Sequence, residues 1–389
     1  MFLCGLSAWS QKVLEGIGDT VHLPNGDMAI LEAREKRKDL NCEVTPLDPV
    51  LGFDLRFHAG YDVSIPLKDL AGDGNELTMV FRVTPEGRPE DRVYFQQTFR
   101  VPDVPTNASG QSTLAGNFDV GEGKYQVDWL MQDRVSRVCA HFWDAKAELS
   151  TREREMEMAI AASKVEATRR NQFWEEPPAA RAKSAPLLNL KLLVNFAPQD
   201  QNAFAMQPLD TSALVTMLRR VSRDPHVGRI SLVAFNIQEQ RVLFRQPEAD
   251  RIDFPALGQA IQNVVPGVVD AKLLVNKRGE VEFLTDLIKS EMAGPEKPDA
   301  LIFAGPKYMV EGSPEDELKA AESAKYPLFY LNFNVSPAAF PWRDAMGRAV
   351  RALGGREYAI TRPRDLWFSV LEMVNRVVES RQGLVPASR

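Results

Sequence analysis

The sequence predicts a multidomain chain: an all-β sandwich followed by an α/β domain with a doubly wound, mostly parallel sheet and one antiparallel edge hairpin. Three observations carry this. Apolar and polar residues alternate with period two across residues 42–150, with frequent turn residues between the runs. A polar stretch rich in Pro and Ala fills residues 175–186. Beyond it, apolar runs suited to buried strands alternate with helical patterns.

In the first part, Phe53, Leu55 and Phe57 alternate with Asp54, Arg56 and His58. Tyr61, Val63 and Ile65 follow Gly60, and Pro66 ends the run. Gly72-Asp73-Gly74-Asn75 is a turn signal. Leu77, Met79, Phe81 and Val83 then alternate up to Pro85. Residues 94–101, 112–120, 124–133 and 137–148 read as further strands. In the last of these, Val138, Ala140 and Phe142 are the expected inner face, continuing to either Ala145 or Lys146. About seven short strands of this kind suggest a sandwich. Residues 28–40 suit either a helix or a strand.

Residues 151–174 are rich in Arg, Glu, Ala and Met, with both charges balanced, which predicts a solvated helix. With residues 175–186 it forms the expected joint, a helix and a Pro/Ala-rich linker over residues 151–186. Residues 187–389 then form the α/β part. Residues 187–194 are a buried strand. Asp210 caps a helix carrying Leu214, Met217, Leu218 and Val221 on one face. Residues 230–235 and 241–245 form a hairpin. Asp253 caps the next helix, and residues 280–292 form another. Strands at 300–303, 328–331 and 358–361 alternate with helices at 314–324, 342–353 and 364–378.

Composition excludes several classes. Of 389 residues, 44% are hydrophobic and 26% charged, which is ordinary for a globular chain and not for a disordered one. No apolar run is long enough for a membrane-spanning helix. A net charge of −6 provides no general attraction to nucleic acid or to an anionic membrane. The C-terminal arginines Arg343, Arg348, Arg351, Arg356, Arg362, Arg364, Arg376 and Arg381 are interleaved with Glu357, Asp365, Glu372 and Glu379. That pattern suits exposed helix faces, so no nucleic-acid partner is expected. His22, His58, His141 and His226 are scattered, and no nucleophile elbow, Walker loop or dinucleotide fingerprint follows a strand. Asp54, Asp128 and Asp144 read as isolated, solvated carboxylates.

Within residues 1–41, residues 1–11 read either as the tail of an export signal, with Ser7, Ala8 and Ser10 before Gln11, or as an ordinary apolar segment. The export reading places the chain outside the cytoplasm, periplasmic or secreted. With Cys4 removed by processing, Cys42 and Cys139 remain as a pair, either a disulfide or two buried thiols. No Cys-x-x-Cys pair suggests zinc.

Two resemblances refine the fold. Gly121-Glu122-Gly123-Lys124-Tyr125-Gln126-Val127-Asp128-Trp129 resembles the tyrosine-corner region of immunoglobulin-like and fibronectin-like modules. Val127 stands where antibody domains carry a cysteine. The alternative is a Gly-rich turn before an aromatic strand. The element order after residue 187, with segments such as Ile230-Ser231-Leu232-Val233-Ala234-Phe235-Asn236, resembles the von Willebrand factor A domain of bacterial exported-protein type. That family implies a magnesium site at the carboxyl edge of the sheet. Its ligands come from an Asp-x-Ser-x-Ser motif after the first strand, a threonine in a later loop and an aspartate after the central strand. Here the first strand ends Val194-Asn195-Phe196-Ala197-Pro198, and Phe303-Ala304-Gly305-Pro306-Lys307 follows the central strand. The expectation is a degenerate metal site, with Asp200 and Asp210 as the only nearby replacements, and no cofactor.

The expected function is a non-catalytic protein–protein interaction or adhesion-type protein with a protein partner. Open α/β sheets bind ligands at their carboxyl edge. The candidate binding residues are therefore Asn195, Asp200, Asn236, Gly305, Lys307, Asn332 and Asn334, whose alternative role is to satisfy backbone groups at strand ends. Two alternatives stay open. One is a hydrolase-like enzyme with a pocket at an interdomain cleft, built from loops at residues 268–279 and 332–342. The other is a self-assembling scaffold.

Overall fold

The computed structural model describes residues 12–13, 25–72, 74–169, 171–183, 186–203, 205–262, 278–318, 326–334 and 344–382. The expected export segment at residues 1–11 and most of the two loops at 268–279 and 332–342 lie outside the described residues. The chain divides into two compact units, Met1–Arg170 and Asn171–Arg389, giving a multidomain β plus α/β fold.

The first unit contains β1 (Lys12–Val13), α1 (Asn25–Ala33), β2 (Glu43–Leu51), β3 (Phe57–Pro66), β4 (Asn75–Pro85), β5 (Val93–Val101), β6 (Gln111–Val120), β7 (Gly123–Gln132), β8 (Val138–Ala147) and β9 (Val165–Ala167). All pairings are antiparallel, in two sheets ordered β1-β5-β4-β7-β8 and β2-β3-β6-β9. Alternation decides what is buried: Leu77, Met79, Phe81 and Val83 of β4 meet Tyr61, Val63 and Phe118 of the other sheet in one core. Tyr61 lies edge-on to both Phe81 and Trp129 there. The Tyr125 hydroxyl donates to the Gly121 carbonyl at 2.9 Å. Cys42, just before β2, and Cys139 in β8 are joined in a disulfide with Cα atoms 6.3 Å apart. The bond links strands of different sheets.

Four expectations are corrected. In β8 the inner face is Cys139, Ala145 and Ala147, whereas Val138, Ala140 and Phe142 pack outside the sheet with Leu31 of α1, Val80 and Leu130. A short helix on the outer face makes both sides of β8 apolar, which hides its register. Residues 53–56 form a turn and not a strand, with Gly52 N–H donating to Arg56 O and Leu55 at φ 60°. The expected helix at residues 151–174 is absent among the described residues; turns and bends lead into β9. Ile160 and Met156 are buried, Ala159 N–H donates to Leu55 O, and β9 pairs with β6, so tertiary contacts override a helical composition. Asp128 is neither isolated nor solvated. It is buried and receives Arg82 from the neighbouring strand at 2.8 Å and Arg34, just past α1, at 3.2 Å.

The second unit contains β10 (Leu188–Asn195), α2 (Pro208–Arg223), β11 (Val227–Asn236), β12 (Arg241–Ala249), α3 (Phe254–Gln262), α4 (Gly279–Ala293), β13 (Ala300–Pro306), α5 (Pro314–Leu318), β14 (Leu328–Phe333), α6 (Ala345–Ala352), β15 (Arg356–Ile360) and α7 (Pro363–Arg381). The sheet order is β12-β11-β10-β13-β14-β15, parallel except for the β11–β12 hairpin. The first strand is therefore central and buried on both faces. On one face Leu193, Phe235, Phe303 and Tyr330 pack with Leu284 and Ile288 of α4 and Met346 and Val350 of α6. Asp210 is corrected as a cap: Pro208 opens α2 after Gln207, and Asp210 lies buried inside the first turn. Asp253 does cap α3, accepting from Ala256 N–H at 3.0 Å.

Residues 171–183 follow an extended path against the α/β unit. Arg219 of α2 stacks over the Trp174 ring at 3.4 Å and the Phe254 ring at 4.4 Å. It also donates to Gln172 O and to the buried Glu176 carboxylate.

Candidate functional site

The carboxyl edge of the α/β sheet is where the sequence placed its candidate residues. Val194 pairs with Ala304, so the next residues, Asn195 and Gly305, are lateral neighbours, and Gly305 in turn pairs with Asn332. Asn195, Gly305 and Asn332 thus form a row across β10, β13 and β14, with adjacent strands about 4.8 Å apart. The row tolerates no side chain at its centre: a Cβ on Gly305 would lie 2.8 Å from Asn195 Cβ and 3.1 Å from Met346 Cε.

The carboxamides are engaged locally. Asn195 Oδ1 accepts from Ala197 N–H at 3.1 Å and Ile237 N–H at 3.2 Å, fixing the chain where it leaves β10 and β11. Its Nδ2 is buried without a partner, as is Asn332 Oδ1. Asn332 Nδ2 donates to Glu357 Oε1 at 2.7 Å. Asn236 closes the hairpin turn by bonding to Glu239, and Asn334 Oδ1 accepts from Gln199 Nε2. Asp200 is exposed and its carboxylate accepts from Asn202 in a local turn. Lys307 N–H donates to Phe333 O, continuing the strand pairing past the row. Four of the candidates, Asp200, Asn236, Lys307 and Asn334, therefore serve strand ends or turns through local hydrogen bonds, and Asn195, Gly305 and Asn332 are brought together.

The sequence reading missed the acids behind this edge. Asp344, almost fully buried, caps α6 by accepting from Gly347 N–H at 2.5 Å, and its other oxygen accepts from Tyr308 N–H at 2.9 Å. Burial pushes its carboxyl up to about 6; the two backbone N–H groups oppose this, and the nearby Glu357 adds to it. Burial likewise raises Glu280 of α4, against the hydrogen bond from Tyr308 and with help from Glu311. The Tyr308 hydroxyl donates to Glu280 Oε1 at 2.8 Å. Glu357 is paired with Arg351 at 2.7 Å. The one available signal was a Pro/Trp-rich stretch ending in Asp344 before a helical pattern. Among the described residues no group of three His, Cys, Asp or Glu is arranged to hold a metal ion.

A second polar cluster lies in the sandwich. His58 Nδ1 is 2.8 Å from Asp119 Oδ1, and Nε2 is 3.0 Å from Asp54 Oδ1. Hydrogen bonds to Asp119 and then Asp54 push the imidazole up to about 10, against its burial. Thr168 donates to the same Asp119 oxygen, and Arg56 bridges to Glu166 of β9. The cluster ties β3, β6 and β9 together.

No described helix is long and apolar enough to cross a membrane. No protein-family model matches the chain. No curated protein sequence matches it either. Among solved structures, the chain is similar to a conserved hypothetical protein BatB from Bacteroides thetaiotaomicron, at 13% identity over 50% of this chain and 100% of that one, with a TM-score of 0.32. It is similar to the PilB minor pilin from Streptococcus sanguinis at 7% identity over 78% of this chain and 88% of that one, with a TM-score of 0.30. A superoxide reductase (neelaredoxin) from Ignicoccus hospitalis shares 16% identity over 34% of this chain and 100% of its own, with a TM-score of 0.18. At such TM-scores these likenesses carry no functional argument.

Proposed function

We propose that the chain is a non-catalytic, extracytoplasmic binding protein. In this reading an immunoglobulin-like or fibronectin-like sandwich precedes a von Willebrand A-like domain that lacks the family's metal site, and loops above the sheet edge engage a protein partner. The observation that carries the reading is the row Asn195, Gly305 and Asn332. Where the family resemblance implies hard, anionic oxygen ligands, this row offers two carboxamides and a glycine, with Asn195 Oδ1 already occupied by two backbone N–H groups. The row is buried, so it supports the absence of the family's metal site, and partner contacts fall to the exposed loop beyond it that carries Asp200. The central first strand and single edge hairpin support the fold reading. The Tyr125–Gly121 bond supports the sandwich reading. The Cys42–Cys139 bond supports an oxidising compartment.

Two measurements test this. Calorimetric titration with magnesium is expected to give no heat of site binding, and micromolar or tighter binding would overturn the metal-free edge. A photo-reactive residue at position 202, on the exposed loop after β10, is expected to cross-link a protein from the native envelope fraction. The same residue at position 124 of the sandwich serves as control, and adducts from 124 alone would overturn the assignment of binding to this edge.

A further inference from the structure

Residues 37–40 run along the outer edge of β8 and are pinned there. Ala140 N–H donates to Arg37 O at 2.9 Å, Leu40 N–H donates to Val138 O at 3.1 Å, and Lys38 pairs with Cys139. Just beyond, Cys42 closes the disulfide to the same Cys139. This register sets Lys36 beside His141. Side chains alternate along such a segment, and the charges sort accordingly. Arg37 pairs with Asp39 at 2.6 Å and lies 3.8 Å from Glu35, so the charges on that side answer one another. Lys36 and Lys38 fall on the other side, with His141. Both lysines are exposed, and neither forms an ion pair among the described residues. By contrast, Lys124, Lys146 and Lys164 each hold a carboxylate, of Glu86, Glu148 and Asp91. His141 is half-buried, its ring centroid 5.9 Å from that of Trp143, and its ring nitrogens have no hydrogen-bond partner among the described residues.

We propose that Lys36, Lys38 and His141 form a binding site for a phosphate or sulfate ester group on the rim of the sandwich. Two lysines two positions apart in an extended segment have Cα atoms about 6.5–7 Å apart, and the neighbouring strand lies about 4.8 Å away. On that spacing, long lysine side chains can bring two ammonium groups to one anion beside the imidazole N–H. Three donors suit the three terminal oxygens of a tetrahedral ester, whereas a carboxylate offers only two. Lysine serves as a point-charge ligand here and needs no fixed fork. The local charge supports the same reading. Burial, and then Lys36 and Lys38, hold the His141 imidazole below its ordinary value, so a positive field persists there although the whole chain carries a net charge of −6. The disulfide and the two backbone bonds fix the segment before any anion arrives, which leaves little to order on binding. None of these residues belongs to the α/β sheet edge, so failure here leaves the protein-partner reading untouched, and the reverse also holds.

Heparin, a polymer of sulfate esters, and inorganic phosphate are the probes, each titrated at low ionic strength into the full chain. Binding of heparin is expected, and Lys36→Ala combined with Lys38→Ala should weaken it about tenfold, the worth of two exposed ion pairs. Lys124→Ala combined with Lys146→Ala is the control. Those lysines stand opposite each other in β7 and β8, are equally exposed, and are already paired with glutamates, so the same loss of charge should leave binding unchanged. All four positions are on the surface, so both double variants keep the fold. Proton NMR of the histidine rings locates the site: a bound anion offsets the lysine charge, so the His141 pKa should rise while those of His58 and His226 stay fixed. A rise with phosphate as well as heparin assigns the site to a single free anion, and a rise with heparin alone assigns it to an ester on a polymer. The proposal is overturned if neither probe binds. It is equally overturned if both double variants weaken binding alike, or if His141 does not respond.

Discussion

Asn195 and Gly305 stand side by side at the carboxyl edge of the α/β sheet, close enough that a methyl on Gly305 would meet Asn195 Cβ at 2.8 Å. Met346 Cε, the far end of a flexible side chain, can move aside, but a strand-end Cβ cannot. Gly305→Ala is therefore expected to destabilise the α/β unit by about 1–3 kcal/mol, the usual cost of overpacking. Urea denaturation measures it, and stability equal to that of the unaltered chain would show that the strands can separate at no cost.

Asn195→Ala acts on the same row by a different route. It strips the acceptor from Ala197 and Ile237 N–H, both buried. Leaving buried donors unsatisfied costs about 1–3 kcal/mol each, so a loss of at least ~2 kcal/mol is expected in the same urea experiment. A smaller effect would mean that the loop after β10 relaxes to find other acceptors.

The disulfide spans 97 positions, and a loop of that length gives about 4.7 kcal/mol in the chain-entropy account. Cys139→Ala, or reduction of the unaltered chain, is expected to lower stability by about 2–5 kcal/mol. Thermal melting with and without reductant reads this directly. Identical curves would mean that the sandwich holds its two sheets together without the bond.

His58 gives a pH signature of the opposite origin to the acids. Its folded imidazole titrates at about 10 because Asp119 and Asp54 bond to it, against an ordinary value of 6.5. The folded state therefore binds the extra proton between these values. The stabilisation is complete below about pH 6.5 and is lost as pH rises through about 10. Melting temperatures of the sandwich should fall across that window, and His58→Gln should flatten the fall. A parallel decline in both proteins would assign the pH dependence to other groups.

Much of the architecture was legible because its signals are local. Leu77, Met79, Phe81 and Val83 are all buried, as their alternation requires, and Leu214, Met217, Leu218 and Val221 line the buried face of α2. The strand ends holding Asn195 and Gly305 followed from the same patterns. Residues 151–169 were misread because helix propensity is a local quantity, while their backbone is fixed by Leu55, Gly121 and β6, which are distant in sequence. Glu280, Tyr308 and Asp344 were invisible for a related reason. They are 28 and 36 positions apart, and only the parallel strand order brings their elements to one edge.

The segment read as the end of a solvated helix and the start of a Pro/Ala-rich linker leads to the last prediction. Arg219 holds it by three kinds of contact at once: its guanidinium stacks on Trp174 and Phe254, donates to the Gln172 and Trp174 carbonyls, and pairs with Glu176 at 3.1 Å. Glu176 is buried and its second oxygen is held by Arg223 at 2.6 Å. Removing Arg219 leaves that carboxylate with the more exposed of its two partners. Breaking a buried pair costs about 3–5 kcal/mol, and the surviving Arg223 contact should keep the loss near the lower end. Arg219→Lys retains the charge but not the planar fork, so it cannot stack and reach two carbonyls together. Both variants are expected to expose residues 171–183. Limited trypsin digestion should then cut after Arg181 in both variants, a site the unaltered chain protects through the bonds from Arg181 to Ser222 O and Asp224 O and from Ala182 N–H to Pro225 O. If Arg219→Lys resists trypsin as the unaltered chain does, charge alone holds the segment and the stacked geometry is incidental.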